Sequence, residues 1–214
     1  MKTIYIVGGD GFARECYIVL KTLANYGTEI TFGGFLGHGG YGKIVDYKTY
    51  QHLYIGEVHE HVFKHNEYVI IGAGYPGLRK KIYEELKARD IQFFNLIAGT
   101  SLLGDSVEIG EANVILSSAM TTNVFLGNGN VFNSFVIIGH DSKIGNFNFF
   151  GPRSQILGSV TVGNSNQIGA NAILLPKSKI GDNNIIAPLS AIYKGCKNNC
   201  YMIGNPALKT GQVE

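Results

Sequence analysis

The sequence predicts two domains of different class: a Rossmann-like α/β domain over residues 1–97, then an all-β left-handed parallel β-helix over residues 98–214. Two observations carry this. The first half repeats a short apolar run, a glycine-rich break and a helical stretch. The second half places a large apolar residue at every sixth position, with glycine often beside it. Glycine supplies 29 of the 214 residues, nearly twice its usual share of about 7%, and without a collagen period this points to many tight turns.

In chain order, residues 3–7 form an apolar run ending in Gly8, Gly9, Asp10 and Gly11, and a helix-like stretch covers 13–23. Residues 30–36 are a second strand, closed by Gly37, His38, Gly39 and Gly40. Residues 67–71 are a third, stopped by Gly72, Ala73 and Gly74. A helix over 77–89 follows, with Leu78, Ile82 and Leu86 at i, i+4 and i+8. Residues 91–96 are the last strand. Such units imply a small parallel sheet that binds ligands at the carboxyl ends of its strands. The loop over 8–11 follows a strand and opens a helix, where backbone N–H groups attract phosphate. It is not a full dinucleotide fingerprint, because Arg14 stands at the third glycine position counted from Gly9.

The second half has another rhythm. Stepping by six from Leu126 meets Phe132, Ile138, Ile144, Phe150, Ile156, Val162, Ile168, Leu174, Ile180, Ile186 and Ile192, all large and apolar. Glycine follows at Gly127, Gly139, Gly145, Gly151, Gly163, Gly169 and Gly181. Small or polar residues recur four positions on, as at Ser142, Ser154, Ala172, Ser178 and Ser190. Each hexad makes one short strand and one turn, and three hexads complete a coil that stacks on its neighbours. Glycine beside the inward residue relieves crowding at the corner. Ile109 and Ile115 precede the run in a frame shifted by one, and the slip is expected over residues 121–125, in a small loop.

Composition narrows the function. The chain is 45% hydrophobic and 16% charged with a net charge of +2, which suits a globular core and gives no electrostatic reason to expect nucleic acid or a membrane surface. No apolar run reaches the roughly 18 residues that a span requires. Cys16, Cys196 and Cys200 are an odd set without a second pair to complete a zinc site, and Met1 leads straight into a strand. The expectation is a soluble, cytoplasmic protein with free thiols.

These residues resemble a known family. The hexapeptide half is similar to the left-handed β-helix acyltransferases. Its combination with a glycine-rich α/β domain resembles the nucleotide-amino-sugar N-acetyltransferases and their sialic acid O-acetyltransferase relatives. The specific points are Ile4 through Gly11, Ile71-Gly72 with Arg79 through Tyr83, Asn133 through His140-Asp141, and Ile203-Gly204-Asn205-Pro206-Ala207. The resemblance implies a homotrimer, acetyl-CoA lying between neighbouring β-helices, and a sugar nucleotide on the N-terminal domain. There Gly8, Gly9, Asp10 and Gly11, with Gly72 and Ala73, would line its pocket.

His140 is the candidate base. It is the one histidine of the repeat half, and it follows Ile138 and Gly139 at a turn. Acetyl transfer to an amine or hydroxyl needs a proton acceptor near neutral pH, and imidazole serves, typically contributing about 10²–10⁴ in rate. The resemblance matches His140 to the family's general base, Asp141 to the acidic residue beside it, and Asn133 to an asparagine near the acceptor. It also matches Gly158 to the glycine whose amide meets the oxyanion, and Ala170 and Pro188 to the pantetheine cleft. Lys194, Lys197 and Lys209 are candidates for the CoA phosphates.

The chain departs from the family pattern in three places. Phe12 and Ala13 stand where relatives often carry histidine after the first glycine turn, Gly37 and His38 where many have acidic residues, and Phe149 where many have a second histidine. They bear on which sugar and which nucleotide are bound. The reaction expected is N-acetylation of a nucleotide-linked amino-deoxysugar, in surface glycan or glycoprotein sugar biosynthesis. O-acetylation of sialic acid and a non-catalytic assembly module are the alternatives. A β-helix zinc enzyme of the carbonic anhydrase kind needs three histidines, so no metal is expected.

Overall fold

The computed structural model describes residues 1–25, 27, 29–39 and 48–213. Gly40, expected to close the second strand, lies outside them. The chain divides into two compact units, Met1–Ala98 and Gly99–Glu214.

The first unit is built from β1 (Lys2–Val7), α1 (Gly11–Asn25), β2 (Ile30–Gly37), α2 (Lys48–Gln51), β3 (Tyr54–Glu57), β4 (Glu67–Ile71), α3 (Pro76–Lys87) and β5 (Gln92–Phe93). The strands form one sheet in the order β3-β2-β1-β4-β5, and every pairing is parallel. From β1 the chain therefore builds outward on one side, then crosses back to build on the other. The order reverses between β1 and β4, whose carboxyl ends Val7 and Ile71 are register partners. Ile4, Ile6, Val7, Ile70 and Ile71 are fully buried, and Cys16 and Leu20 of α1 and Ile82 and Leu86 of α3 are buried as well. β3 was not anticipated, since its short run includes Gly56 at φ +128 and gives no clear alternation. The expected last strand pairs with β4 only over Gln92–Phe93.

Between β3 and β4 the chain has no helix. This segment is tied to the sheet through Glu67, whose carboxylate accepts bonds from Tyr5 Oη (3.2 Å), the Lys64 amide (2.9 Å) and His61 Nε2 (3.3 Å). The rings of Tyr5 and His61 lie 4.5 Å apart. Burial alone would raise the Glu67 carboxyl pKa, but these bonds outweigh it and hold the group below its ordinary value.

The second unit is a parallel β-helix with three flat faces. Most of its strands are very short, and each pairs with the strand three hexads on, as Ile137–Ile138 does with Gln155–Ile156. All twelve inward residues of the hexad run are at most 3% exposed. Between them run buried asparagines: Asn148 Oδ1 receives the Asn166 amide at 2.9 Å, while Asn148 Nδ2 reaches Asn130 Oδ1 at 3.0 Å and the Gly163 carbonyl at 2.8 Å. The glycines beside the inward residues act by close approach. A Cβ on Gly139 would lie 2.7 Å from the Gly158 amide nitrogen of the next coil. The left-handed backbone falls further along each hexad, on Phe135, Asp141, Phe147, Arg153, Ser159 and their successors, with φ values from 54 to 66.

The frame slip lies earlier than expected. Spacing from Met120 to Leu126 is already one full hexad, and the missing residue falls in the turn between Val114–Ile115 and Ala119–Met120. Partners across it stand one position short of three hexads apart, as Ala119 does from Leu102. A shortened turn thus replaces the small loop anticipated over 121–125. At the carboxyl end the strand Cys200–Gly204 pairs in parallel with Ile185–Ile186 and folds back antiparallel on Ala207–Gln212.

Candidate active site

The stacking of coil on coil sets the site. Residues at one corner recur directly above one another, so a side chain meets groups one coil before and one coil after it. His140 stands at a corner, after the inward Ile138 and the close-packed Gly139. Its Nδ1 lies 2.7 Å from Asp141 Oδ2, and both side chains are more than half exposed. On the coil after it sits Gly158: a Cβ there would lie 2.6 Å from His140 Nε2 and 2.8 Å from Cε1. Only glycine leaves the imidazole its place. On the coil before it sits Asn123, whose Nδ2 donates to Asp141 Oδ1 at 2.6 Å.

The Asp141 backbone is held as well. Its φ is +59, a conformation that aspartate tolerates better than most residues, and its amide donates to the Thr122 carbonyl at 3.2 Å. The His140 carbonyl accepts from the Ser159 amide at 2.7 Å. The carboxyl of Asp141 titrates below the usual carboxylate range, first because of the hydrogen bond to His140 and then because of that from Asn123. A carboxylate at Nδ1 favours the tautomer with the proton there, which leaves Nε2, the ring nitrogen that a Cβ on Gly158 would crowd, unprotonated. The Gly158 amide donates to no protein group among the described residues. His140 and Gly158 therefore stand against each other on adjoining coils. Beside Asp141, on the side of the preceding coils, a cleft of about 500 Å³ is lined by Glu108, Asn123, Phe125 and Lys143.

The other expected residues fall elsewhere. Asn133, Ala170 and Pro188 stand at the preceding corner; Ala170 and Pro188 are one coil apart. Asn133 Oδ1 accepts the Ser134 amide at 2.7 Å, and the Ala170 amide has no protein acceptor among the described residues. Lys194, Lys197 and Lys209 are exposed near the carboxyl end. In the first unit Gly8 and Gly72 meet at the carboxyl ends of β1 and β4. Gly8 takes φ +123, and a Cβ on Gly72 would lie 2.7 Å from Ala13 Cβ. The loop after β4 is held by the fully buried Arg79, whose guanidinium donates to the Ile71 and Ala73 carbonyls; burial lowers its pKa to about 10. The Gly9 and Asp10 amides have no protein acceptor among the described residues. Among those residues there is also no group of three or more metal-binding side chains, and no helix long and apolar enough to cross a membrane.

Comparison with known proteins agrees with this architecture. The bacterial transferase hexapeptide family (six repeats) matches residues 159–194. Over 63 residues the chain is 41% identical to UDP-3-O-acylglucosamine N-acyltransferase of Neisseria gonorrhoeae, covering 29% of this chain and 18% of that protein. The chain thus spans under a fifth of that curated relative. Among solved structures, WeeI from Acinetobacter baumannii superposes with a TM-score of 0.84 at 19% identity, covering 98% of this chain and 100% of that one. A perosamine N-acetyltransferase mutant from Caulobacter crescentus, in complex with CoA and GDP-perosamine, gives 0.85 at 19%, covering 99% and 98%. The acetyltransferase domain of PglB from Neisseria gonorrhoeae, in complex with acetyl coenzyme A, gives 0.81 at 17%, covering 97% and 98%. At these identities the likeness is one of fold, and it runs through both units.

Proposed function

We propose that the chain is an acetyl-CoA-dependent N-acetyltransferase acting on the amino group of a nucleotide-linked amino-deoxysugar. The observation that carries this reading is the His140–Asp141 pair stacked over Gly158. It sets a ring whose Nδ1 faces a carboxylate against a residue whose amide has no protein acceptor among the described residues, and this supports the reading in a fold shared with proteins whose structures hold CoA and a nucleotide-linked sugar.

In this reading the substrate amine attacks the thioester carbonyl carbon and an N–C bond forms. His140 Nε2 takes the proton released by the amine. The developing oxyanion is met by the Gly158 amide. The C–S bond then breaks, and the thiolate takes the proton back from the imidazolium to leave as CoA. Asp141 holds the ring and stabilises its charged form. Ala170, through its free amide, and Pro188 line the pantetheine path; Asn133 contacts the acceptor, and Lys209 meets the CoA phosphates. The Gly8–Gly9–Asp10–Gly11 and Gly72–Ala73 loops hold the sugar nucleotide, which their position at the sheet's reversal point supports. The assembly is a homotrimer, supported by exposed Ile137, Phe135 and Leu189 on the β-helix surface.

The test is CoA release from acetyl-CoA with a panel of amino-sugar nucleotides and free sialic acid, for the wild type and His140→Ala. Turnover on an amino-sugar nucleotide, lowered by about 10² or more in the variant, supports the reading. Turnover on free sialic acid alone hands the function to O-acetylation. Full activity in the variant removes His140 as base.

A further inference from the structure

An exposed carboxylate bonded to a ring on one side only can turn about its own torsions, and a wandering carboxylate fixes no tautomer. Asp141 is not in that position. Its Oδ2 faces His140 Nδ1 at 2.7 Å and its Oδ1 receives the Asn123 carboxamide at 2.6 Å, so both oxygens are engaged and the carboxylate plane is set. We propose that Asn123 is a positioning residue of the acetyl-transfer site, acting on the base through Asp141. The proposal rests on the acetyl-transfer reading above.

The chemistry of the residue suits the task. Asn123 and Asp141 are register-equivalent at one corner, a single coil apart, both in the left-handed conformation at φ +56 and +59. The Asn123 amide is itself tied to the Asp105 carbonyl at 3.1 Å, and Thr122 Oγ1 to the same carbonyl at 3.0 Å, so the donor stands on a fixed turn. A carboxamide gives Asp141 a hydrogen bond without a charge. A lysine there would compete with the imidazole for the carboxylate, and an aspartate would repel it. The asparagine donor also appears at a second corner, where Asn183 Nδ2 donates to Asn199 Oδ1 at 2.7 Å with no base nearby. That second rung is a control built into the fold: the same donor on a neutral carboxamide acceptor, without the proposed function.

The test compares Asn123→Ala, Asp141→Ala, the double variant and Asn183→Ala. Nitrogen-15 spectra of histidine-labelled protein report which ring nitrogen of neutral His140 carries the proton, and they need no acceptor. Asn123→Ala is expected to shift His140 from the Nδ1–H tautomer in the same direction as Asp141→Ala, while Asn183→Ala leaves it as in the wild type. In turnover, Asn123→Ala is expected to lower kcat about tenfold with the KM for acetyl-CoA unchanged, and to change kcat less than about twofold when Asp141 is already alanine. A wild-type tautomer in Asn123→Ala overturns the proposal. So does an equal tenfold loss in the Asp141→Ala background, or an equal loss in Asn183→Ala. If His140→Ala keeps full turnover, the reading of His140 as base fails, and the tautomer comparison still decides what Asn123 does to the ring.

Discussion

His140 can serve as a base only if its Nε2 faces open space, and the residue that keeps that space open is Gly158. Its backbone φ lies outside the left-handed range, so alanine is conformationally allowed, and the penalty falls on the imidazole instead. Gly158→Ala is expected to leave the thermal midpoint within about 2 °C of the wild type and to lower kcat by about 10², the order seen when a reacting group is displaced by an ångström. Steady-state kinetics beside a melting curve checks this; unchanged kcat would mean that the ring works from another rotamer. At this scale the sequence was partly legible. His140 stood out because no other histidine falls among the hexads, and Asp141 because it is adjacent. Asn123 did not, because it meets Asp141 through the stacking register. A slip at residues 121–125 puts Asn123 in a loop, whereas the shortened turn before Ala119 leaves it one full coil before the carboxylate.

Elements in the two units are stabilised by buried polar groups, but in different ways. Along the β-helix the Asn130, Asn148, Asn166 and Asn184 rungs satisfy each other and the backbone of adjoining coils, a pattern that repeats once per coil. In the α/β unit single side chains do this: Arg79 holds the loop after β4, and Glu67 pins the helix-free segment before β4 to Tyr5 of β1. Its folded pKa is depressed, so its contribution to stability is fully present above the unfolded value of about 4.3 and is lost as pH falls through the folded value. Glu67→Gln is therefore expected to lower the midpoint at pH 7 and to approach the wild type as the pH falls through the depressed folded value. Melting curves across that range would show two lines converging on the acid side; parallel lines would contradict the assignment. The element pattern explains what was readable. Strands β1 and β4 carry apolar runs at residues 4–7 and 68–71, because a central parallel strand is covered on both faces, whereas edge strand β3 has only four residues and none of them is fully buried.

On the scale of the molecule, a solenoid coil touches only the coils next to it, so its stability is expected to be local along the axis. The period of six was legible because every coil must send one large apolar residue inward from each face. The ends were not, because terminal coils answer to capping and not to repetition. The last pairings fall short of three full hexads, Lys179 with Gly195 and Ile185 with Tyr201, and the antiparallel strand Ala207–Gln212 then covers the final edge at Cys200–Gly204. An uncovered parallel edge frays and invites pairing with other chains. Deleting residues 205–214 is therefore expected to strip hydrogen-exchange protection from the amides that depend on the last coil, such as Ala187, whose bond runs to the Met202 carbonyl at 2.9 Å. Amides two coils back should stay protected, including Gly139, bonded to the Ile156 carbonyl at 2.7 Å. Association should rise with protein concentration. Exchange measured by mass spectrometry separates the cases. A graded loss from the carboxyl end means that the cap protects its neighbours alone. A uniform loss reaching Gly139 means that the β-helix unfolds as one cooperative block, and that the His140 corner depends on a hairpin more than two coils away.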